Sequence, residues 1–172
     1  MRPLLLLTLI AAIPCAAQQA SPTSPLGIFA THTGVWEGES WTIRGPQGKV
    51  ITRQRETVGH EAGGHVLTVH GLGTMLRAGK TDTIHHAFAI MHLSQDGTRL
   101  HMRAFTAEGR WLDPEITATP RGYNWQMTDP RVGPIKYEMR IDEQGRWIED
   151  GYMSRDDGKT WMHFLGMVLV KQ

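Results

Sequence analysis

Cysteine is nearly absent from this chain of 172 residues, whose one copy is Cys15, close to the start. A single cysteine cannot form a disulfide within the chain, so the folded domain lacks that means of stabilisation. Cys15 also falls in a segment that we expect to be removed or lipidated, which leaves no thiol chemistry in the mature domain. Stability must therefore come from a packed hydrophobic core.

An excess of charge is also missing. The 18 Lys and Arg residues include Arg2, so 17 basic residues stand against 17 acidic residues once the first segment is removed. A protein that binds nucleic acid through its phosphates needs a basic surface. The balance therefore argues against nucleic acid as a partner.

Catalytic motifs are missing too. The sequence has no nucleophile elbow, no phosphate-binding loop and no helical metal motif, and its Ser, His and acidic residues have no diagnostic spacing. It also has no apolar run of the roughly 20 residues that a membrane-spanning helix needs. These absences favour a non-enzymatic binding protein without a transmembrane segment.

The first segment has the three-part layout of a secretory signal peptide, which we place at residues 1–17. A basic start is followed by the apolar run Leu4–Ile13 and by small residues that allow cleavage after Ala17. The sequence therefore predicts a periplasmic or secreted protein. Attachment of a lipid at Cys15 is the alternative to release.

A short linker and one domain follow the signal peptide. Residues 18–25 contain Gln, Ala, Ser, Thr and Pro, which predicts a solvated linker. Residues 26–172 have the length of a single domain with one core. Within it, Leu26, Ile28 and Phe29 predict a short helical plug that covers one end of a barrel.

Turn signals at regular spacing predict an all-β domain after this plug, because no helical period of useful length follows. About ten antiparallel strands are expected, in an up-and-down meander. Closure into a barrel removes exposed strand edges, so we prefer a barrel to a sandwich. Asp113-Pro114 should interrupt a strand, at a bulge or at the lip of this barrel, because proline cannot donate to the ladder.

The segment from Lys136 to Gln172 predicts three strands joined by turns at Asp142–Arg146 and Ser154–Lys159. The first turn places Ile141 opposite Trp147, Met139 opposite Glu149 and Tyr137 opposite Gly151. The second places Met153 opposite Trp161, Gly151 opposite His163 and Glu149 opposite Leu165. One face is then almost entirely apolar, and Lys136, Glu138 and Arg140 lie on the face toward water. The buried positions predicted for the whole domain are Trp36, Phe88, Ile90, Tyr137, Met139, Trp147, Trp161, Leu165 and Met167.

Several segments carry a resemblance to a known family. Gly34-Val35-Trp36-Glu37-Gly38 resembles the first strand of calycin-type barrels, whose tryptophan packs across the barrel floor. The downstream segments Phe105–Arg110, Ile135–Tyr137, Arg146–Glu149 and Ser154–Trp161 are similar to an exported bacterial family of uncharacterised calycin-like domains. This resemblance implies a small lipocalin-like barrel and supplies no reaction.

A more distant resemblance to nitrobindins implies a different cofactor state. Nitrobindins hold haem through a histidine of the last strand, and His163 stands near that position. Our primary prediction is no cofactor, with haem at His163 as the alternative. For metal ions we predict no site, since strand alternation sends His85 and His86 to opposite faces.

The predicted site lies on the apolar face of the last three strands. Glu149 and His163 are expected there as a pair, because a buried carboxyl group must find a partner or take up a proton. The pair is either a polar anchor in a ligand cavity, or a structural pair that closes the core or lies at the solvent-filled mouth of the barrel. The predicted ligand-binding residues are Tyr137, Met139, Trp147, Glu149, Met153, Trp161 and His163. The function predicted first is binding of a small apolar or amphipathic ligand inside the barrel. The alternatives are a haem protein with nitrogen-oxide or peroxide chemistry, and an interaction module whose interior is filled by its own side chains.

Overall fold

The computed structural model describes residues 26–172, so the predicted signal peptide and linker lie outside the described residues. This part of the chain is all-β, with eleven strands where about ten were predicted. Short 3-10 segments occur at Gly27–His32, Gly45–Gln47 and Ala62–Gly64. The strands are β1 (Gly34–Ile43), β2 (Lys49–Glu61), β3 (Val66–Arg77), β4 (Lys80–Leu93), β5 (Leu100–Thr106), β6 (Trp111–Leu112), β7 (Glu115–Thr119), β8 (Gly122–Asp129), β9 (Gly133–Ile141), β10 (Trp147–Met153) and β11 (Met162–Lys171).

All eleven strands belong to one antiparallel sheet. Neighbours in sequence pair with one another, and β1 also pairs with β11, which gives the order β6-β5-β4-β3-β2-β1-β11-β10-β9-β8-β7. The two edge strands, β6 and β7, are separated in sequence only by Asp113 and Pro114. Because three residue steps span at most about 11 Å, the sheet must curl until its edges approach each other.

The proline prediction is confirmed at this corner. β6 ends at Leu112 and β7 begins at Glu115, so Asp113-Pro114 interrupts what would otherwise be one strand. No backbone ladder joins β6 to β7 within residues 26–172. The described sheet is therefore a curled half-barrel with a seam between its two edges.

The start of the domain packs against the concave side of the sheet. Leu26 and Phe29 are buried, whereas Ile28 is 61% exposed, so the predicted use of all three side chains in a plug is wrong for Ile28. The indole nitrogen of Trp36 donates a hydrogen bond of 2.8 Å to the carbonyl oxygen of His32. This bond connects the first 3-10 segment to the beginning of β1.

The hydrophobic core gathers at the same end of the sheet, which we call the core end. The rings of Trp36 and Trp147 meet edge to face at 5.8 Å, a favourable arrangement for aromatic pairs. The buried cluster consists of Leu26, Phe29, Trp36, Val58, Leu67, Met91, Met102, Tyr123, Met139, Trp147, Met167 and Leu169.

The predicted core is right in part. Trp36, Met139, Trp147 and Met167 are buried as expected, while Tyr137 and Leu165 are half-buried. Phe88 and Ile90 were assigned to the wrong face. Both faces of β4 are apolar, so alternation alone could not decide, and Ala89 and Met91 face the core instead.

Trp161 was also predicted to be buried, and this is wrong. It lies just before β11 and is 37% exposed. The ammonium nitrogen of Lys136 lies 5.0 Å from its ring centroid, within the range of a cation–π contact. Trp161 therefore contributes to the surface and not to the core.

The predicted register is confirmed for the first of the two C-terminal hairpins. Ile141 pairs with Trp147, Met139 with Glu149 and Tyr137 with Gly151. The side chains of Lys136, Glu138 and Arg140 lie on the opposite face and are 33%, 39% and 48% exposed. β9 and β10 thus have one inward and one outward face, as predicted.

The register of the second hairpin differs from the prediction. Gly151 pairs with Leu165, and a bulge at Phe164 then brings His163 opposite Tyr152. An odd offset in a ladder turns a side chain to the other face. His163 consequently lies on the outer face, opposite to the side on which Glu149 lies.

Within residues 26–172, no helix has the length and hydrophobicity of a membrane span.

Candidate functional site

The concave side of the curled sheet, here called the inner face, carries the candidate site. Strand pairing brings Ser40 of β1 opposite Thr52 of β2 and Met167 of β11, and Met167 opposite Glu149 of β10. Residues two apart on a strand share a face, so the inner residues of β2 also include Gln54 and Glu56. The hydrophobic cluster occupies the core end of this face, and we call the opposite end the open end.

A run of polar side chains follows β2 along the inner face. The hydroxyl groups of Ser40 and Thr52 are 2.6 Å apart, and the amide nitrogen of Gln54 donates a hydrogen bond of 2.7 Å to the carboxyl group of Glu56. Glu56 is only 7% exposed. The buried side chains of Gln54 and Glu56 need space on the neighbouring strand.

Two glycines of β3 supply that space. A Cβ atom at Gly71 would lie 2.9 Å from a carboxyl oxygen of Glu56, and one at Gly73 would lie 2.8 Å from the amide oxygen of Gln54. Any larger residue would push these polar groups away from the wall. The Gly-Leu-Gly sequence of β3 therefore seats the carboxyl and amide groups of β2.

Glu149 is the second carboxyl group of the inner face. Burial raises the pKa of Glu149 to about 7, and the neighbouring charge of Asp150 adds to the rise. The indole N–H of Trp147 opposes it by favouring the ionised carboxyl group. That N–H is itself buried and has no acceptor in bonding geometry within residues 26–172, so it lies beside the carboxyl group without forming a regular hydrogen bond.

The two inner carboxyl groups influence each other. Burial raises the pKa of Glu56 to about 8; the hydrogen bond from Gln54 lowers it, and the charge of Glu149 raises it further. None of the ion pairs among the described residues includes Glu56 or Glu149. Near neutral pH these groups therefore hold protons that carboxyl groups in water would have lost.

Aromatic rings lie next to Glu149. The rings of Trp125 and Tyr137 stack at 4.0 Å between centroids with an interplanar angle of 10°, and Phe164 meets Tyr137 edge to face at 5.7 Å. Burial raises the pKa of Tyr137, and the charge of Glu149 raises it further. The aromatic group and the carboxyl group therefore form one continuous surface.

The open end of the inner face is accessible. Six side chains are only half-buried although their registers direct them inward: Thr42, Thr106, Trp125, Tyr137, Glu149 and Leu165. Ala87 also faces inward, opposite Gly71, and it is half-buried as well. In an interior filled by its own side chains these residues would be buried. The concave side is therefore not filled at its open end.

The predicted pair of Glu149 and His163 does not form. His163 lies on the outer face, where its Nε2 atom is 3.1 Å from a carboxyl oxygen of Asp150. Its ring stacks on Tyr152 at 4.9 Å and meets Trp41 edge to face at 4.8 Å. The bulge at Phe164 is the physical reason, because it inserts one residue between the two faces.

The position of His163 also bears on haem. A group bound on the concave side would need a ligand on the inner face of β11, where the described residues are Leu165, Met167, Leu169 and Lys171. Nor do any three His, Cys, Asp or Glu side chains within residues 26–172 converge to hold a metal ion. Within the described residues, the inner face of β11 therefore offers no histidine to hold haem.

The seven predicted ligand-binding residues divide between three locations. Tyr137, Met139, Trp147, Glu149 and Met153 lie on the inner face, by their register with β9. Trp161 lies in the loop before β11, and His163 lies on the outer face. The structure thus brings five of the seven together and separates the other two.

The polar run of β2 was missed by the sequence reasoning. The signal was that Thr52, Gln54 and Glu56 alternate with Arg53 and Arg55, so the strand is polar on both faces. A strand at the centre of a sheet with two polar faces must direct one polar face inward. The glycines of β3, which lie opposite this run, were a second signal.

A separate groove of about 870 Å³ lies at the seam between β5 and β7. Its walls contain inner residues such as Met102 and Ile116 and outer residues such as His101 and Glu115. An ion pair between Arg103 and Asp113, with an Nε–Oδ1 distance of 2.6 Å, bridges its two sides. The groove is a lateral opening in the wall of the curled sheet.

Comparison with known proteins gives a similarity of fold. No protein-family model matches the chain, and no curated protein matches it. The fold is similar to that in the crystal structure of Rv2717c from M. tuberculosis, with a TM-score of 0.62 and 15% sequence identity over 89% of this chain and 99% of that chain. At this identity the similarity supports the fold alone.

Proposed function

We propose that this protein binds a small amphipathic molecule on the inner face of its sheet, at the open end. The proposed fold is a calycin-like barrel closed at the core end by the first 3-10 segment, and the proposed location is outside the cytoplasm after removal of residues 1–17. The accessible inner wall carries the proposal, because a concave apolar surface with a few placed polar groups is the usual form of a small-molecule site.

The composition of the wall defines the kind of ligand. Tyr137, Trp125 and Leu165 offer an apolar surface, while Glu149, Glu56 and Gln54 offer polar groups deeper inside. An apolar body therefore has a place beside the aromatic rings, and one polar group has a place beside the carboxyl groups. No arrangement of nucleophile and base is proposed, so the role is binding and not catalysis.

A fluorescent apolar probe tests the proposal. N-phenyl-1-naphthylamine should brighten on binding to the wild-type protein, and Ala87→Phe should weaken its binding by about tenfold or more because the new ring fills the open end. His86→Phe is the matched control, since His86 is exposed on the outer face of the same strand.

The two variants make the outcomes distinct. Loss of probe binding in Ala87→Phe with retention in His86→Phe supports an inner site. Absence of binding to the wild-type protein, or equal binding to both variants, would overturn the proposal. Circular dichroism of each variant checks that the sheet is retained.

A further inference from the structure

We propose that the ligand is an organic cation, with an ammonium group bound by Glu149 and Glu56 and an apolar body against Tyr137 and Trp125. This inference rests on the proposed function and names its ligand class. It assigns to the two carboxyl groups the role of recognising charge.

The first observation is the location of the charges. The ion pairs among the described residues lie on the outer face or in turns, as in Arg140 with Asp150 and Lys136 with Glu138. The inner carboxyl groups lack a cationic partner within residues 26–172. A carboxyl group away from water either takes up a proton or binds a cation.

The second observation is the unpartnered N–H of Trp147. Its side chain is buried, with only 2% of its surface exposed, and it lies beside the carboxyl group of Glu149. It forms no hydrogen bond within residues 26–172. A buried donor without an acceptor costs free energy, and an ionised Glu149 would accept from it more strongly than a protonated one. An ammonium ligand that ionises Glu149 would therefore also satisfy this donor.

The third observation is the aromatic surface beside the carboxyl groups. The rings of Trp125 and Tyr137 stack on the inner face, and the ring of Tyr137 lies against Gly151, two residues from Glu149 on the same face of β10. Aromatic faces attract ammonium groups, and a combined aromatic and acidic environment favours a cation over a neutral alcohol. A carboxylate ligand would oppose ionisation of both carboxyl groups, whereas an ammonium ligand favours it.

Binding of a cation should release protons. Burial holds the pKa of Glu56 at about 8 and that of Glu149 at about 7, so at pH 7 most Glu56 groups and about half of the Glu149 groups carry a proton. An ammonium group favours the ionised forms. Roughly one proton per bound cation should therefore leave the protein at pH 7.

Three probes with the same apolar chain test the ligand class. Octylamine, octanol and octanoate compete with N-phenyl-1-naphthylamine, and calorimetry in two buffers of different ionisation enthalpy counts the protons released. Octylamine should bind about tenfold more tightly than octanol, and octanoate should bind most weakly. Glu149→Gln should remove most of the preference for octylamine and leave octanol binding, whereas Glu39→Gln on the outer face should change neither.

The results separate this inference from the proposed function. If octanol and octylamine bind equally well and no proton is released, the inner site stands and the cation is wrong. If none of the probes, including N-phenyl-1-naphthylamine, binds, the proposed function itself fails. Proton release is measured on the wild-type protein, so the inference stays testable even if Glu149→Gln does not fold.

Discussion

The most informative perturbation is removal of the charge from Glu56 without change of its shape. In the unfolded chain this carboxyl group ionises near pH 4.5, whereas burial raises its pKa in the folded protein to about 8. A folded pKa above the unfolded pKa means that the folded state binds more protons between these values. The free energy of unfolding therefore falls as pH rises from about 4.5 to about 8, and it does not fall further above that range.

The size of this effect follows from the same two values. Each pH unit between them corresponds to about 1.4 kcal/mol, so the whole interval corresponds to roughly 3–5 kcal/mol once relaxation around the site is considered. Glu56→Gln cannot ionise and keeps the hydrogen-bonding shape. Its stability relative to wild type should therefore be near zero at pH 4.5 and higher by a few kcal/mol at pH 8.5.

Urea unfolding of wild type and Glu56→Gln at pH 4.5, 6.5 and 8.5 measures this difference. Glu61→Gln is the control, because Glu61 is exposed at the end of the same strand. A difference between Glu56→Gln and wild type that stays constant across the three pH values would refute the reasoning. The carboxyl group would then be in contact with water or with a cation.

Three further predictions concern register, backbone contact and acid stability. His163→Ala should lower the free energy of unfolding by less than about 1 kcal/mol. Its effect should add to that of Glu149→Ala within about 0.5 kcal/mol, since the two residues lie on opposite faces. A coupling energy above about 1 kcal/mol in urea unfolding would contradict the register. A Cβ atom at Gly38 would lie 2.1 Å from a carbonyl oxygen of β11. Gly38→Ala should therefore lower the free energy of unfolding by about 3 kcal/mol or more, whereas Gly59→Ala should lower it by less than about 1 kcal/mol. Similar melting temperatures of the two variants would argue against this close approach. Burial lowers the pKa of His32 to about 4, so the stability that its neutral ring contributes is lost as pH falls from 6.5 toward 4. Between pH 6.5 and 4.5 the free energy of unfolding of His32→Gln should therefore rise by about 2–3 kcal/mol relative to wild type. The same pH dependence in both proteins would count against a buried neutral imidazole.

The sequence predicted the strands because their turns are marked by local chemistry. Alternation in Lys136–Ile141 and the turn at Asp142–Arg146 were sufficient for the register of β9 and β10. The interruption of the strand at Asp113-Pro114 followed from the missing N–H of proline. These features depend on a few neighbouring residues, so they can be predicted without knowledge of distant contacts.

The candidate site was harder to predict because it depends on register and on distant strands. One extra residue at Phe164 moved His163 to the outer face, and no turn residue marks such a bulge. The inward direction of Gln54 and Glu56 depends on Gly71 and Gly73 of the next strand. Short-range alternation therefore identified Glu149 and gave it the wrong partner.

The central claim is that two carboxyl groups of the inner face, which have no cationic partner among the described residues, bind a cationic ligand. Carbon-13 NMR of the glutamate carboxyl groups tests this claim most directly. In the free protein the resonances of Glu149 and Glu56 should titrate near pH 7 and pH 8. Addition of octylamine should lower both midpoints, because a bound ammonium group favours the ionised forms. Midpoints near the ordinary value of 4.5 that do not move with octylamine would contradict the account.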